Sequence, residues 1–394
     1  MNNWLTQVIA ITWMSIRNIP QRLAPSIVAA VGVAGVVMVL VGVLSMREGF
    51  RAVLNQSGAD DIAIVMRTGS TDEMGSNISQ AQVRIVEDAA SVARDSKGAI
   101  SSPELYVVVD VPLRNTGTPA NVPLRGVGPR AMELRQNFRI AEGRTFRPGT
   151  FEVIVGRGAS LQFSGLELGK QLRWGTTQWQ VVGIFDDRGS VAESEIWTDV
   201  SVLQGAYNRG SSYQSQRVRL TSANALQSFR DSLSTDPRLN MRVLSERKYY
   251  EEKTETLVAL VTVAGGTIGF LMGLGAIFGA LNTMYSAVSA RTREIATSRA
   301  LGFGATPVVI SVLAEAMLLG VAGGIVGGLL AYLGFNGIRA STMSGFNQMT
   351  FAFAVSPELL LQGLLYALIL GFIGGLLPSL RAARMGITEG LREL

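Results

Sequence analysis

The sequence predicts an α-helical membrane protein with four transmembrane helices and a large extracytoplasmic α+β domain inserted between helices 1 and 2. Three long stretches carry this prediction: residues 23–46 and 257–290 contain no charged residue, and residues 300–338 contain only Glu315. Uncharged apolar runs of about 18 or more residues are typical of transmembrane helices. The segment between the first two runs is long and rich in charge, so it predicts a folded domain outside the membrane.

The composition agrees with a membrane protein and excludes several kinds of site. Of the 394 residues, 47% are hydrophobic and 44 are glycine, which is too apolar for an ordinary soluble chain. The formal charge of 35 − 30 = +5 does not predict a nucleic-acid partner, because the arginines cluster at the predicted membrane borders. The chain has no cysteine and no histidine, so disulfides, metal sites built from those residues and histidine-based catalytic triads are excluded.

Four transmembrane spans are predicted at about residues 26–45, 257–287, 308–335 and 359–380. Arginines in the short loops set their orientation under the positive-inside rule. The loop between spans three and four carries only Arg339, whereas the other borders carry Arg17, Arg22, Arg291, Arg293, Arg299, Arg381, Arg384 and Arg392. Both termini, including the tail 381–394, are therefore expected in the cytoplasm of a bacterium, and residues 46–256 are expected outside its inner membrane.

Residues 1–20 predict an amphipathic helix that lies in the membrane interface and contacts lipid. Its apolar face is formed by Leu5, Val8, Ile9, Thr12, Trp13 and Ile16, with Trp4 and Trp13 expected at the depth of the headgroups. The segment lacks the basic start, apolar core and cleavage site of a signal peptide. The alternative is that it extends span one, but Pro20 and Pro25 favour a break.

Glycines recur at every fourth residue in three of the spans, which is typical of closely packed transmembrane helices. They are Gly265, Gly269 and Gly273 in span two, Gly320, Gly324 and Gly328 in span three, and Gly371 and Gly375 in span four. A packed bundle is favoured over a pore, because Glu315 is the only charged residue within the spans.

The outer segment alternates between strand and helix patterns. Strands are predicted at 61–67, 104–111, 217–220 and 241–244, and helices at 79–92, with Ser79 as N-cap, and at 223–233. A portion rich in short strands, about 113–207, interrupts this α+β layer as an insertion. A further helix is predicted to start at Ser245 and to continue directly into span two.

No catalytic constellation is found in the outer segment. Glu193 with Glu195, and Asp186 with Asp187, could serve in acid–base catalysis, but a solvated hairpin is the favoured interpretation. Gly165–Gln171 resembles a phosphate-binding loop, yet its glycines are one residue too close and Gln171 replaces the required Ser or Thr. ATP hydrolysis, if it drives this protein, is therefore expected in another chain.

Two motifs resemble the permeases of the MacB/FtsX group of ABC transporters. The turn ARTREIATSRALGFG (residues 290–304) is followed in span three by VLAEAMLLGVAGGIVGG. The tail LPSLRAARMGITEGLREL (residues 377–394) is similar to the closing motif of the family, with Gly390 where alanine is usual. The resemblance covers essentially the whole chain, although the outer segment resembles the family's periplasmic core domain only loosely.

The resemblance implies a permease subunit that is not itself an enzyme and binds no cofactor directly. Its expected partners are a separate cytoplasmic ABC ATPase that uses ATP and Mg, and a second permease in a homodimer or heterodimer. A periplasmic adaptor protein is a further expected partner. In MacB the ATPase is fused to the permease; here nothing precedes the N-terminal helix, so the ATPase is expected in its own chain. The family's mechanism is mechanotransmission, in which ATPase closure moves helices and the outer domains.

The resemblance also assigns roles to the turn 288–305 between spans two and three. Residues Arg291, Thr292, Arg293, Glu294, Ile295 and Ala296 correspond to the family's coupling helix, which docks on the ATPase. Arg291, Arg293 and Glu294 are expected to make charge-assisted contacts there, and Ile295 an apolar one. The alternative, that the arginines only obey the positive-inside rule, does not explain Glu294 and Ile295. Glu315 matches the family's acidic position, with a structural or interfacial role favoured over proton relay.

The expected function is export or extraction of a periplasmic or membrane-embedded substrate, such as an amphipathic small molecule, a peptide or a lipoprotein. The alternative is an FtsX-like signalling scaffold that regulates a cell-wall hydrolase. The large size of the outer segment favours transport. A stand-alone membrane enzyme is disfavoured, because the chain lacks histidine, cysteine and a convincing acid pair.

Overall fold

A computed structural model of the chain describes residues 2–17, 23–135, 137–344 and 347–386. Within these residues, four helices are long and apolar enough to cross a membrane: Ser26–Val53, Val258–Ser289, Ala305–Phe335 and Pro357–Arg384. A mixed α/β segment lies between the first two along the chain, which confirms the predicted fold class. Pro20, Arg22, Gly390 and Arg392 lie outside the described residues, and so do the side chains of Trp4, Leu5, Ile16, Pro25 and Arg339.

The helices and strands of the described residues are as follows. The helices are α1 (Asn2–Arg17), α2 (Leu23–Gln56), α3 (Gln80–Asp88), α4 (Arg157–Gln162), α5 (Val200–Ala206), α6 (Leu226–Ser234), α7 (Glu246–Ser289), α8 (Thr292–Ala300), α9 (Ala305–Phe335) and α10 (Pro357–Arg384). The strands are β1 (Ile62–Arg67), β2 (Ile78–Ser79), β3 (Arg94–Asp95), β4 (Gly98–Ala99), β5 (Ser101–Pro112), β6 (Pro119–Val127), β7 (Arg139–Gly143), β8 (Glu152–Gly156), β9 (Gln171–Trp174), β10 (Thr177–Asp186), β11 (Ile196–Asp199), β12 (Ser212–Tyr213), β13 (Ser215–Arg219), β14 (Met241–Ser245), β15 (Arg339–Ser344) and β16 (Asn347–Ala352).

The chain divides into two compact units. The outer domain comprises Phe50–Leu257 together with Arg339–Phe351. The membrane unit comprises the chain up to Gly49, the segment Val258–Ile338 and the chain from Ala352 onward. Two helices, α2 and α7, contribute residues to both units.

In the membrane unit, α1 packs against α9, and one packed residue of α1 lies outside the predicted apolar face. Ile11 contacts the buried cluster that includes Met284, Val288 and Val308. Ile9 and Trp13, which were predicted to share the apolar face, are 65% and 67% exposed. The apolar residues of α1 therefore lie on two sides of the helix, and lipid contact by the exposed side stays a prediction.

One connection agrees with the prediction, and two contain secondary structure that was not predicted. The helix predicted to start at Ser245 begins at Glu246 and continues without a break to Ser289. The turn that follows contains a helix of its own, α8. Where a short loop was expected between the third and fourth spans, β15 and β16 pair as a two-stranded sheet.

The outer domain is built on a mixed sheet of ten strands. The order is β14-β1-β13-β5-β6-β11-β8-β10-β7, with β9 paired to β10. Most neighbours are antiparallel, whereas β6 with β11 and β8 with β10 are parallel. The predicted insertion thus supplies strands that continue the sheet formed by β1, β5, β13 and β14.

Several hydrophobic clusters cover different parts of this sheet, and two of them are the largest. One packs α3 and α6 against β1 and β13 through Val65, Val86 and Phe229. The other lies among the strands of the insertion, around Trp179 and Ile196. Helix α3 begins where the sequence predicts, because the side chain and backbone of its N-cap Ser79 form a capping box with Gln82.

Candidate functional site

Helix α8 presents one packed face and one exposed face. Thr292 and Ala296 are buried, Ile295 is half-buried, and Arg293 and Glu294 are exposed. Because residues four apart lie on the same side of a helix, Thr292 and Ala296 form the packed face. Of the six predicted coupling residues, the charged pair Arg293–Glu294 is therefore the part available to a partner.

Arg291, just before α8, was expected to contact the ATPase, but its side chain is directed into the membrane unit. Its guanidinium donates to both carboxylate oxygens of Glu315 in α9, at 2.9 Å and 3.1 Å. Both residues are buried, at 7% and 4% exposure. A bidentate pair of this kind fixes distance and orientation together. Glu315 thus has a structural partner, in agreement with its expensive position within a membrane helix.

The other end of α8 is also held. Arg299 donates to the backbone carbonyl of Ala383 at 2.9 Å and to that of Met385 at 2.6 Å. These carbonyls lie at the end of α10, where helical hydrogen bonds run out and other donors are needed. Helix α8 is therefore connected to α9 at its start and to α10 at its end.

The predicted packing glycines lie where helices approach each other closely. A Cβ atom at Gly320 would lie 2.8 Å from the carbonyl oxygen of Ala367, and one at Gly371 would lie 2.9 Å from that of Ala316. Van der Waals contact needs more room, so α9 and α10 can approach this closely only without side chains there. In the same way Gly265 faces Val43, Gly269 faces Leu40, Gly273 faces Tyr366, Gly324 faces Ala367, Gly328 faces Leu360, and Gly375 faces Ala316.

The outer domain contains a buried ionic cluster that the sequence analysis missed. We use this name for Glu73, Glu104, Arg125, Arg135, Glu195, Arg217 and Glu246. Arg217, which is fully buried, donates to Glu73 at 2.9 Å, to Glu246 at 3.0 Å and to Glu104. The one available signal was a set of charged residues within otherwise apolar strands, such as Arg217 beside Val218 in β13.

Arg125, on β6, makes the remaining bonds of the cluster. Its Nε and one terminal nitrogen donate to the two oxygens of Glu195 at 2.7 Å each. Its other terminal nitrogen donates to Glu73 at 2.7 Å and to Glu104 at 2.9 Å. Burial alone would raise the pKa of Glu73, but the charges of Arg125 and Arg217 outweigh it and hold that pKa well below its usual range.

The acidic residues near 190 were predicted to be a solvated hairpin, and this prediction is wrong. Glu193, Glu195 and Asp187 are all buried, while Asp186 is half-buried. Glu195 pairs with Arg125, and Glu193 accepts hydrogen bonds from the backbone nitrogens of Asp187 and Gly189 at 2.7 Å each. These carboxylates form hydrogen bonds and ion pairs with other residues of the outer domain, so their role is structural.

No metal centre is apparent in the part of the chain that the structure describes. There, no group of three or more acidic side chains is placed to hold a metal ion. The carboxylates of the ionic cluster form ion pairs with guanidinium groups instead.

Comparison with known families gives two matches that follow each other along the chain. The family described as MacB-like periplasmic core domain matches residues 26–235. The family described as FtsX-like permease C-terminal matches residues 266–387. Together they cover most of the outer domain, the candidate coupling helix and most of the helical segments, while residues 236–265 lie between the two matches.

Individual proteins are similar to parts of this chain. Macrolide export ATP-binding/permease protein MacB 1 of Aeromonas hydrophila is 24% identical over 387 residues, which cover 92% of this chain and 57% of that protein. The uncharacterized ABC transporter permease YknZ of Bacillus subtilis is 30% identical over 133 residues, or 34% of this chain and 32% of that protein. The crystal structure of the periplasmic region of MacB from Actinobacillus actinomycetemcomitans covers 52% of this chain and 95% of that chain, with 13% identity and a TM-score of 0.38.

The match is partial on the side of the relatives. This chain spans about half the length of the MacB proteins it matches, 57% and 54% for two of them. The matched region corresponds to the permease part of proteins whose names include both ATP binding and a permease.

Proposed function

The chain belongs to the MacB/FtsX family of ABC transporter permeases, and from this premise we propose that it is the permease subunit of an ATP-driven transporter that works by mechanotransmission. It is a multi-pass membrane protein, and the proposal places both of its termini in the cytoplasm of the bacterial cell. A separate ABC ATPase binds and hydrolyses ATP with Mg there. The substrate is periplasmic or embedded in the membrane, and this chain exports or extracts it.

The observation that carries the proposal is the way α8 is held. Its exposed face presents Arg293 and Glu294, a cation and an anion side by side, which suits a partner with complementary charges. Its two ends are connected to α9 through Arg291 and to α10 through Arg299. A force applied to α8 by the ATPase would therefore reach two transmembrane helices directly.

Transmission toward the outer domain is assigned to α7. This helix has 44 residues from Glu246 to Ser289 and no break along its length. A continuous helix keeps its backbone hydrogen bonds along its whole length, so movement at one end displaces the other. Within the described residues of the four spans, the buried carboxylate Glu315 is already paired with Arg291 of the turn before α8, which supports work on a substrate outside the membrane core.

The substrate class and the remaining partners are part of the same proposal. An amphipathic small molecule, a peptide or a lipoprotein is a suitable substrate for a protein that acts at the periplasmic surface of the inner membrane. We propose a second permease, homomeric or heteromeric, from the family to which the chain belongs, and assign it the exposed apolar side of α7, which includes Val263, Phe270 and Phe278. A periplasmic adaptor is proposed as a further partner of the outer domain.

The test is purification in mild detergent from native membranes, followed by mass spectrometry of the co-purified proteins. The double substitution Arg293→Glu with Glu294→Arg reverses the exposed charges of α8 and should abolish recovery of the ATPase. A matched control reverses the exposed pair in the outer part of α7, Lys248→Glu with Glu251→Lys, and should retain the ATPase. Full ATPase recovery with the α8 variant, at normal folding, would contradict the proposal.

A further inference from the structure

We propose that the buried ionic cluster is the anchor through which α7 moves the outer domain. The inference rests on the proposed function, because an anchor matters only if α7 transmits movement. It adds a residue-level role for Glu246, the first residue of α7, and for the two arginines that hold it.

Glu246 receives two arginines at the start of the helix. The Nε of Arg217 donates to Glu246 Oε1 at 3.0 Å, and a terminal nitrogen of Arg135 lies 3.0 Å from the same oxygen. Both guanidinium groups are buried. A negatively charged side chain in the first turn also interacts favourably with the helix dipole.

From Glu246 the bonds spread over the sheet. Arg217 lies on β13 and reaches Glu104 on β5 as well as Glu73. Arg125 on β6 bonds to the same two carboxylates and to Glu195, which lies directly before β11. The first residue of α7 is thus connected, through shared carboxylates, to strands on both sides of the junction between the α+β layer and its insertion.

Apolar and aromatic contacts support the same turn of the helix. Tyr249 and Tyr250 pack against Ile64 and Met66 of β1. The ammonium group of Lys253 lies 4.7 Å from the centre of the Tyr249 ring. The contacts thus extend through the first two turns of α7, and all of them belong to the outer domain.

Ion pairs at the start of α7 can prevent this helix from shifting relative to the sheet. Apolar contacts are non-directional, so a helix can shift along them at small cost. At Glu246, one carboxylate oxygen is shared by two buried guanidinium groups, so its position is constrained from two directions, and loss of this carboxylate removes a partner from both. Small rotations or translations of α7 are therefore resisted at Glu246 and passed to the sheet.

The experiment measures the distance between α7 and the sheet in the full chain, reconstituted in lipid nanodiscs without any ATPase. The sequence has no cysteine, so Glu255→Cys and Asn115→Cys, both at exposed positions, can be labelled selectively with nitroxides. Pulsed electron paramagnetic resonance should give one narrow distribution of distances between the two labels when no other residue is changed. Glu246→Gln should lose that narrow distance and give a broad distribution.

Glu195→Gln is the matched control. It removes a carboxylate from the same cluster with similar burial, but its ion-pair partner is Arg125, which keeps Glu73 and Glu104, whereas Glu246 pairs with Arg135 and Arg217. The control should keep the narrow distance. An unchanged distance in Glu246→Gln, or equal broadening in both variants, would overturn the proposal, because the cluster would then serve only the stability of the fold.

Near-ultraviolet circular dichroism checks whether Glu246→Gln folds. A second variant is used if it does not. Glu246→Gln combined with Arg135→Gln removes one charge of each sign, so the cluster keeps the net charge of the parent, with one more carboxylate than guanidinium groups. This variant should fold and also give the broad distribution, and a narrow one would overturn the proposal. Since no ATPase is present, failure of the anchor is distinguishable from failure of the α8 coupling, which the co-purification experiment measures.

Discussion

Two buried ionic arrangements, one in each unit, differ in the number of partners that each charge has. In the membrane unit, Arg291 and Glu315 form a pair, and within the described residues neither has another ion-pair partner. In the outer domain, Arg125 and Arg217 each bond to three carboxylates and share two of them. The pair depends on each member, whereas the cluster distributes each charge over several partners.

The architecture explains this difference. A membrane helix satisfies its own backbone and offers few polar side chains, so a buried charge there must find one matching partner on a neighbouring helix. A mixed sheet brings distant segments side by side, so charges from many parts of the sequence can converge. Glu73 and Arg217, for example, are 144 positions apart. We therefore expect loss of one charge to be more damaging in the pair than in the cluster.

The largest expected effect is that of Glu315→Leu. It leaves the buried guanidinium of Arg291 without its carboxylate and should destabilise the membrane unit by about 3–5 kcal/mol. Glu195→Gln in the cluster should cost less, because Arg125 keeps two carboxylates. The measurement is the unfolding temperature of the full chain in nanodiscs, with binding of the ATPase as a second readout.

The control for this prediction is the paired substitution Arg291→Met with Glu315→Leu. Replacing both members of a buried ion pair by apolar residues is often neutral or stabilising, so the double variant should recover most of the lost stability. If it is as unstable as Glu315→Leu alone, the two residues do not act as a pair, and the comparison between the two units fails.

Much of the fold follows from local features of the sequence. Runs of apolar residues longer than a membrane is thick predict four helices, and the cap at Ser79 predicts the start of α3. The start of α7 is predicted within one residue, because strongly helical composition follows Ser245 without a break. These features depend on neighbours in the sequence, which a single chain displays directly.

The ionic cluster could not be predicted in the same way, because its members are brought together only by strand pairing. A charged residue considered alone is most often exposed, and this average is the reason that Glu193 and Glu195 were wrongly assigned to a solvated hairpin. Arg291 shows the same limit at the candidate site. Its charge and its place before α8 are visible in the sequence, but its direction toward Glu315 depends on how α8 and α9 pack.

The next effect concerns a second polar contact of the membrane unit. The hydroxyl of Tyr366 in α10 donates to the carbonyl oxygen of Gly269 in α7 at 2.8 Å. It passes Gly273, where a Cβ would collide with that hydroxyl. Gly273→Ala should therefore destabilise the membrane unit by about 1–3 kcal/mol, as overpacking commonly does, and lower its unfolding temperature.

Tyr366→Phe added to Gly273→Ala supplies the control. Without the hydroxyl, the nearest ring carbon lies 3.2 Å from the new Cβ, so most of the collision is relieved. The double variant should be more stable than Gly273→Ala alone, although it lacks the hydrogen bond to Gly269. Equal stability of the two variants would show that the tyrosine is not what limits residue 273.

The smallest effect distinguishes carboxylates inside the ionic cluster from those outside it. Burial, and then a hydrogen bond with Asp186, raise the pKa of Glu193, whereas the same contact and Arg139 lower the pKa of Asp186 to about 2. A carboxyl whose pKa is raised on folding stabilises the fold when protonated, and this stability is lost as pH rises through its folded pKa. Glu193→Gln keeps an oxygen for the backbone nitrogens of Asp187 and Gly189 and removes the charge. It should therefore raise the unfolding temperature at neutral pH, and this gain should disappear at acidic pH.

The members of the cluster should show the opposite dependence. Burial raises the pKa of Glu195, but the charge and hydrogen bonds of Arg125 outweigh it, so the net pKa is lowered. Such a group stabilises the fold above its unfolded pKa, and that stability is lost as pH falls through its folded pKa. Glu195→Gln should therefore be destabilising at neutral pH and less so at acidic pH. If the stability of both variants changes with pH in the same direction, the arginines of the cluster do not make Glu195 differ from Glu193, and this prediction is wrong.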